Sequence, residues 1–421
     1  MNKTIPARDF CSSVFDGTHD TPKPCKHGHP LILSKNIQGN CINLQDTYNI
    51  SEEDYNAINM RSKVSQWDIL FSMIGTVGSV YLEKNEDIPY AIKNMGVFST
   101  KDELKAKWLY YYLQTNEAKS IIANYLNGAV QKFLPLGFLR EFPVKKMPQN
   151  ASQIISVLEN IDAKIENNNA ICAELEAMAK LLYDYWFVQF DFPDENGKPY
   201  KSSGGKMVWS EELKREIPEG WEIATLEKYI KVIRGVAFDP EDIATIATEG
   251  YTPLLKSNNL QDGKLLLDDI VYVKSSKVSH EQHLRKGSIF ITMSSGSTEH
   301  VGKTAVISYD TPYCYGAFCS KIEIHPNYRA FLSVFFRSDY FSRIIRTIVV
   351  GTSIKNINNN HLINNALPLP PANVLERYEQ IVCPMLDQQG AIVQENQELA
   401  CLRDFLLPLL MNGQVGFSAD N

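Results

Sequence analysis

The chain is written twice, and no other feature limits its possible folds as much. Pro30-Leu31-Ile32-Leu33-Ser34-Lys35-Asn36-Ile37-Gln38-Gly39 returns about 220 residues later as Pro253-Leu254-Leu255-Lys256-Ser257-Asn258-Asn259-Leu260-Gln261-Asp262-Gly263. Asp68-Ile69-Leu70-Phe71-Ser72-Met73 returns as Ser288-Ile289-Phe290-Ile291-Thr292-Met293, and Gly128-Ala129-Val130-Gln131-Lys132 as Gly351-Thr352-Ser353-Ile354-Lys355. Each copy runs on to a proline-flanked strand, Phe142-Pro143-Val144 or Leu367-Pro368-Leu369-Pro370, and then into a long helical pattern. A period of this size is that of a whole domain, so the chain must build one fold twice.

Asn150-x-x-Gln153 and Asn373-x-x-Glu376 have the form of capping boxes that open the two helices. Behind the first, Leu158, Ile161, Ile165, Asn168, Cys172, Leu175, Ala179, Leu182 and Trp186 alternate in spacings of three and four. The second shows Met385, Gln388, Ile392, Glu395, Leu399, Leu402, Leu406 and Leu409 in the same phase. Such a period of about 3.5 residues is a coiled-coil seam. The two helices are expected to pack on one another, with Asn168, Gln388 and Glu395 setting the register. Pro384 and Gly390 predict a kink or a late start in the second helix. Residues 191–221, rich in proline, glycine and charge, read as a linker.

Gly302-Lys303-Thr304 invites a phosphate-loop reading, but five residues separate Gly296 from Gly302 where four are required. The β-branched run after Thr304 continues as a strand, whereas a phosphate loop opens a helix. Val77-Gly78 is the counterpart of Val301-Gly302, so the Gly-Lys-Thr belongs to a glycine turn present in both copies. His19, Cys25, His27 and His29 match no zinc pattern and read as a polar loop, and the eight scattered cysteines suggest reduced thiols rather than disulfides. No stretch of eighteen apolar residues and no leader pattern occurs, which predicts no membrane partner and a cytoplasmic location.

The net charge of −7 disfavours nucleic acid until it is resolved by segment. Residues 151–198 carry −6 and residues 371–421 carry −5, while residues 1–150 and 199–370 carry +2 each. The acidity sits in the helices, and the domains are weakly basic. Their loops gather the residue types that read base edges and hold phosphates. In the first copy these are Thr18, His19, Asp20, Thr21, Lys23, Ser34, Lys35, Asn36, Gln38, Ser72, Thr76, Gln131 and Lys132. In the second they are Arg234, Lys256, Ser257, Asn258, Asn259, Thr292, Ser294, Ser295, Lys303, Thr352, Ser353, Lys355 and Asn356, with Asn358 and Asn359 close by. No dinucleotide fingerprint, zincin motif, serine-hydrolase elbow or amino-methyltransferase motif is present, so no catalytic residue and no metal ligand is assigned.

Leu182-Tyr183-Asp184-Tyr185-Trp186-Phe187-Val188-Gln189-Phe190-Asp191-Phe192-Pro193, Ser202-Ser203-Gly204-Gly205, Ile217-Pro218-Glu219-Gly220-Trp221 and Leu406-Leu407-Pro408-Leu409-Leu410-Met411-Asn412-Gly413 resemble the specificity subunit of type I restriction-modification systems. Asp16-Gly17-Thr18-His19-Asp20-Thr21-Pro22 resembles one class of its target recognition domains. The resemblance implies an α+β chain of two pseudo-repeated α/β recognition domains separated by two long helices packed as an antiparallel coiled coil. Its expected divisions are residues 1–149, first recognition domain; 150–190, first spacer helix; 191–221, linker; 222–371, second recognition domain; 372–413, second spacer helix; and 414–421, tail. It also implies a non-catalytic DNA-recognition subunit that reads both halves of a split site on double-stranded DNA. Two modification (methyltransferase) subunits and ATP-driven restriction subunits would be its partners. S-adenosylmethionine, ATP and Mg would lie on those partners, and no cofactor on this chain. A subunit serving a fused restriction-methylation enzyme, or a stand-alone two-headed DNA-binding regulator, are the alternatives. The lead-in seen at Gly220-Trp221 has no counterpart before Asp16, so the first domain is expected to start short or with a differently built strand.

Overall fold

The computed structural model describes residues 4–38, 41–44, 47–127, 133–261, 263–267, 269–350 and 356–416. It divides into two units, one of residues 1–164 with 399–421, the other of residues 165–398. In the first unit the strands Ser13–Asp16, Met95–Ser99, Asp68–Ser72 and Val80–Leu82 lie in that order in an antiparallel sheet. Asp68–Ser72 and Met95–Ser99 are buried at every position, as their apolar runs require. A second sheet pairs His29–Ile32 antiparallel with Tyr48–Ile50 and parallel with Ala91–Ile92. Helices Glu103–Gln114, Asn116–Asn127 and Leu136–Glu141 follow.

The second unit repeats this plan. Ile230–Arg234, Cys319–Ile324, Ile289–Thr292 and Thr304–Val306 form the same four-stranded order. Tyr251–Leu255 takes an antiparallel partner in Val271–Lys274 and a parallel one in Cys314–Tyr315. Helices Arg329–Phe335, Asp339–Val350 and Asn359–Ile363 correspond to the three of the first unit. The copies also diverge: Ile243–Ala244 pairs antiparallel with Val271–Lys274 and adds a fourth strand to the smaller sheet of the second unit. Glu52–Ser62 is an α-helix capped by Ser51, whose counterpart region holds only the short 3-10 turns Ser275–Lys277 and His280–Gln282.

The first unit does have an opening strand. Thr4–Pro6 pairs with Pro143–Lys145 as Glu222–Thr225 pairs with Ala366–Leu369. Trp221 is buried among Phe187, Phe190 and Phe192 in the core of the second unit.

Residues 191–221 are folded, contrary to the linker reading. They hold a hairpin of Met207–Ser210 and Arg215–Pro218. Asp191 accepts hydrogen bonds from the Ser202 backbone N–H at 2.7 Å and its hydroxyl at 2.6 Å, and Tyr200 stacks on Phe192 with centroids 4.7 Å apart. The prolines and glycines make tight turns there: a Cβ on Gly205 would sit 2.5 Å from the Tyr200 ring.

The two long helices are Ala151–Tyr183, continued by a π-turn Asp184–Val188, and Ala372–Met411. The second is one helix through Pro384, with no late start, and Asn373 lies inside its first turn because Pro371 O accepts from Val374 N and Leu375 N. Gly390 serves a close approach, since a Cβ there would lie 2.7 Å from Ser308 O. Within the second unit Asn168 Nδ2 donates to Glu395 Oε2 at 2.7 Å and Asn396 Oδ1 at 2.8 Å, and Gln389 Nε2 donates to Cys172 O at 2.9 Å. Within the first, Arg403 Nη1 reaches Asp162 Oδ1 at 3.0 Å. Partner numbers fall along one helix as they rise along the other, so the pair is antiparallel.

The residues that pack are offset from the expected seam on the second helix. Tyr378, Val382, Leu386, Leu407 and Leu410 are buried, and Gln389 replaces Gln388, which is exposed. Leu402 is 46% exposed; Met385, Leu399, Leu406 and Leu409 are half-buried. On the first helix Leu158, Ile161 and Asn168 are buried and Ile165, Leu175 and Leu182 half-buried, and on the second Ile392 is buried. A straight helix drifts by ~20° per heptad from a strict seven-residue repeat. The second helix must also cover its own domain: Tyr378, Val382 and Leu386 share a core with Phe331 and Phe335.

Candidate nucleic-acid interface

Strand register places Asp16 opposite Gly96 and Arg234 opposite Ser320, so Asp16 and Arg234 occupy the same position in the two copies. Each ends its strand beside a glycine that makes an equivalent bond, Gly17 N to Met95 O and Gly235 N to Cys319 O. Both glycines are required by close approach. A Cβ on Gly17 would be 2.5 Å from Ile92 O, and one on Gly235 2.2 Å from Gly316 O. Across from this position, Leu134 N donates to Met73 O and Ile357 N to Met293 O, and isolated bridges join Ile74 to Phe133 and Ser294 to Asn356.

These matched contacts frame an open cleft in each unit. The first, of about 420 Å³, is lined by Asp16, His19, Met73, Ile74, Asn94 and residues Phe133 to Leu136. His19 Nε2 lies 3.0 Å from Asp16 Oδ2, and its Nδ1 lies 2.8 Å from Asn94 Oδ1. Asn94 is held in a left-handed conformation (φ 53°), with its N–H donating to Thr18 O. The second cleft, of about 450 Å³, is lined by Arg234, Met293, Ser294, Phe318, Ser320 and residues Asn356 to Asn360. One scaffold therefore presents an acid, an imidazole, an amide and a phenyl ring in one copy, and a guanidinium and a row of amides in the other.

The sequence-expected site residues divide by place. Arg234, Ser294, Asn356 and His19 line the clefts. Asp20, Lys23, Thr76, Lys256 and Asn258 are exposed nearby in sequence or on other loops, with Ser257, Ser295 and Lys303 half-buried. Thr18 is buried, its hydroxyl accepting from Asp20 N at 3.1 Å, and exposed Thr21 accepts from the buried ammonium of Lys93. Ser34, Lys35 and Asn36 form a 3-10 turn, as do Ser257, Asn258 and Asn259. Asn36 Oδ1 accepts from Leu33 N and Asn259 Oδ1 from Lys256 N, both at 2.9 Å. These two asparagines are buried turn-builders, whereas Lys35 is exposed. Ser72 and Thr292 are buried at equivalent strand ends. Gln38 lies on a strand of the first copy. Gln131, Lys132, Thr352, Ser353 and Lys355 lie outside the described residues.

Reading from residues alone missed Asp16 as a lining group, and Asn94, Phe133, Phe318 and Ser320. Asp16 was visible inside its motif, but only strand pairing aligns it with Arg234. Elsewhere on the second unit, Lys277 and Lys274, each 3.0 Å from Asp242, hold its carboxyl down to about 2, so these two cations already have a partner.

The profile of the type I restriction modification DNA specificity domain matches residues 33–177 and 218–395, one match in each copy. The chain belongs to this family. Among its relatives, the type I restriction enzyme EcoKI specificity subunit of Escherichia coli (strain K12) is 30% identical over 207 residues, 48% of this chain and 44% of that one. The stretch shared with that relative is thus less than half of either protein. The type I restriction enzyme MjaIX specificity subunit of Methanocaldococcus jannaschii is 22% identical over 351 residues, 82% of this chain and 77% of that one. The crystal structure of the type I restriction-modification S subunit from M. genitalium superposes with a TM-score of 0.53 at 15% identity, over 97% of this chain and 95% of that one. The fold of this specificity-family chain is therefore two repeated mixed units with two long helices. Among the described residues no helix is long and apolar enough to cross a membrane.

Proposed function

We propose that this chain is the non-catalytic sequence-recognition subunit of a type I restriction-modification complex. Each unit reads one half of a bipartite site on double-stranded DNA. The paired helices hold the unread spacing and dock two modification subunits, and restriction subunits join that assembly. S-adenosylmethionine, ATP and Mg act on those partners. The observation that carries this reading is the pair of matched clefts, alike in frame and different in lining. Two copies of one reaction site would keep the same reacting groups, whereas two readers of different sequences need the same frame with different donors and acceptors. The weakly basic domains suit phosphate contact, and the acidic helices suit protein contact.

Exchanging residues 222–371 for the equivalent part of another family member tests it. The mapped methylated adenines should show one half of the site replaced and the other retained. A change in both halves, or in neither, would overturn the reading.

A further inference from the structure

The second cleft contains a buried hydroxyl with no partner among the described residues. Ser320 is 1% exposed and lines the cavity, and its hydroxyl oxygen has no hydrogen-bond partner among the described residues. A buried hydroxyl left unpaired is unfavourable, and a ligand group entering the cleft would relieve that cost. Arg234 stands directly across the strand pair from it, with its guanidinium exposed and its Nε 3.3 Å from Ala317 O. The same position in the first cleft is Asp16, and the residue across from it is Gly96, where no side chain competes. Asp16 holds His19 through Oδ2, and its Oδ1 has no protein partner among the described residues.

We infer that the strand position of Asp16 and Arg234 is the base-discriminating position of each half-site, with opposite polarity in the two copies. This rests on the reading proposed above. Arg234 donates to the acceptor pair of a guanine, O6 and N7, in the second half-site. Asp16 accepts from an exocyclic amine, the N4 group of cytosine, in the first. The swap of an acid for a guanidinium at one backbone position inverts what the cleft demands while leaving the frame unchanged.

The test maps methylated adenines in cells carrying this chain with its modification subunits, for the native chain, Arg234→Ala, Arg234→Gln and Asp16→Asn. Arg234→Ala should make one guanine of the second half-site degenerate, with a loss of preference of roughly 5- to 150-fold, and leave the first half-site intact. Arg234→Gln should move the preference at that position toward adenine. Asp16→Asn should relax one cytosine of the first half-site only. Variants that leave every position unchanged, lower methylation uniformly, or alter the wrong half overturn the inference. A native chain that yields no split methylated sequence overturns the proposed function instead, so the two failures are distinct.

Discussion

At the scale of single residues, chemistry and position part company. Asn36 and Asn259 have the side chain best suited to adenine, yet both are buried and bond the backbone of their own turns. Asparagine is as good a turn-builder as a base-reader, and the sequence does not distinguish the two uses. Gly302 of the false phosphate loop has φ +81°, and its copy Gly78 has φ +94°. A left-handed turn therefore explains the Gly-Lys-Thr. Lys303 is half-buried beside that turn, and we propose that it meets the DNA backbone. Lys303→Ala in the assembled complex should weaken binding to all sequences alike and lower the salt slope by about one phosphate equivalent. A change in base preference would contradict that role. A titration of binding against salt, on matched and scrambled duplexes, separates the outcomes.

At the scale of elements, the helices were legible and their contacts only partly so. The spacing of Leu158, Ile161 and Asn168 marks a packed face, and Asn168 does pair with the other helix. Leu402 failed because hydrophobicity on a long helix does not reveal which neighbour it faces. The second helix binds its domain by polar contacts as well. Glu379 accepts from Ala330 N and Phe331 N, and burial pushes its carboxyl above the usual range. Asp387 takes both guanidinium nitrogens of Arg329 at 2.8 and 3.2 Å, and Arg329 with Lys286 lowers its pKa to about 2. The folded carboxyl is the stronger acid, so the pair's stabilisation is complete above about pH 4 and is lost as pH falls toward 2. Asp387 is 45% exposed, which limits the pair to about 1 kcal/mol. Asp387→Asn should lower the unfolding free energy from urea titration by that amount at pH 7, and the gap to the native chain should narrow steadily by pH 3. A gap that is constant with pH would show that packing, and not the ion pair, is responsible.

At the scale of the molecule, the proposed spacer role of the antiparallel helix pair can be tested by changing its length. A turn inserted in one helix alone would break the Asn168–Glu395 and Asn169–Asn396 pairing. A matched turn of about four residues after Asn169 and after Gln394 keeps those partners together and adds about 6 Å. The methylated site should then show a longer unread gap with both halves unchanged, and an altered half-site would sink the spacer role. Periodicity and repetition, which are properties of order along the chain, by themselves determined that one fold occurs twice and that each copy ends in a long helix. The signature run from Leu182 to Trp221 was also visible, but only packing showed why it exists: its aromatic residues enter the core of the second unit, and its tight turns hold them there. Only the tertiary structure decided that Asp16 and Arg234 share one position, and that Ser320 lies opposite one of them with no hydrogen-bond partner for its hydroxyl among the described residues. Those relations come from hydrogen-bond register between strands far apart in sequence, and the order of residues along one strand carries no record of what lies across from it.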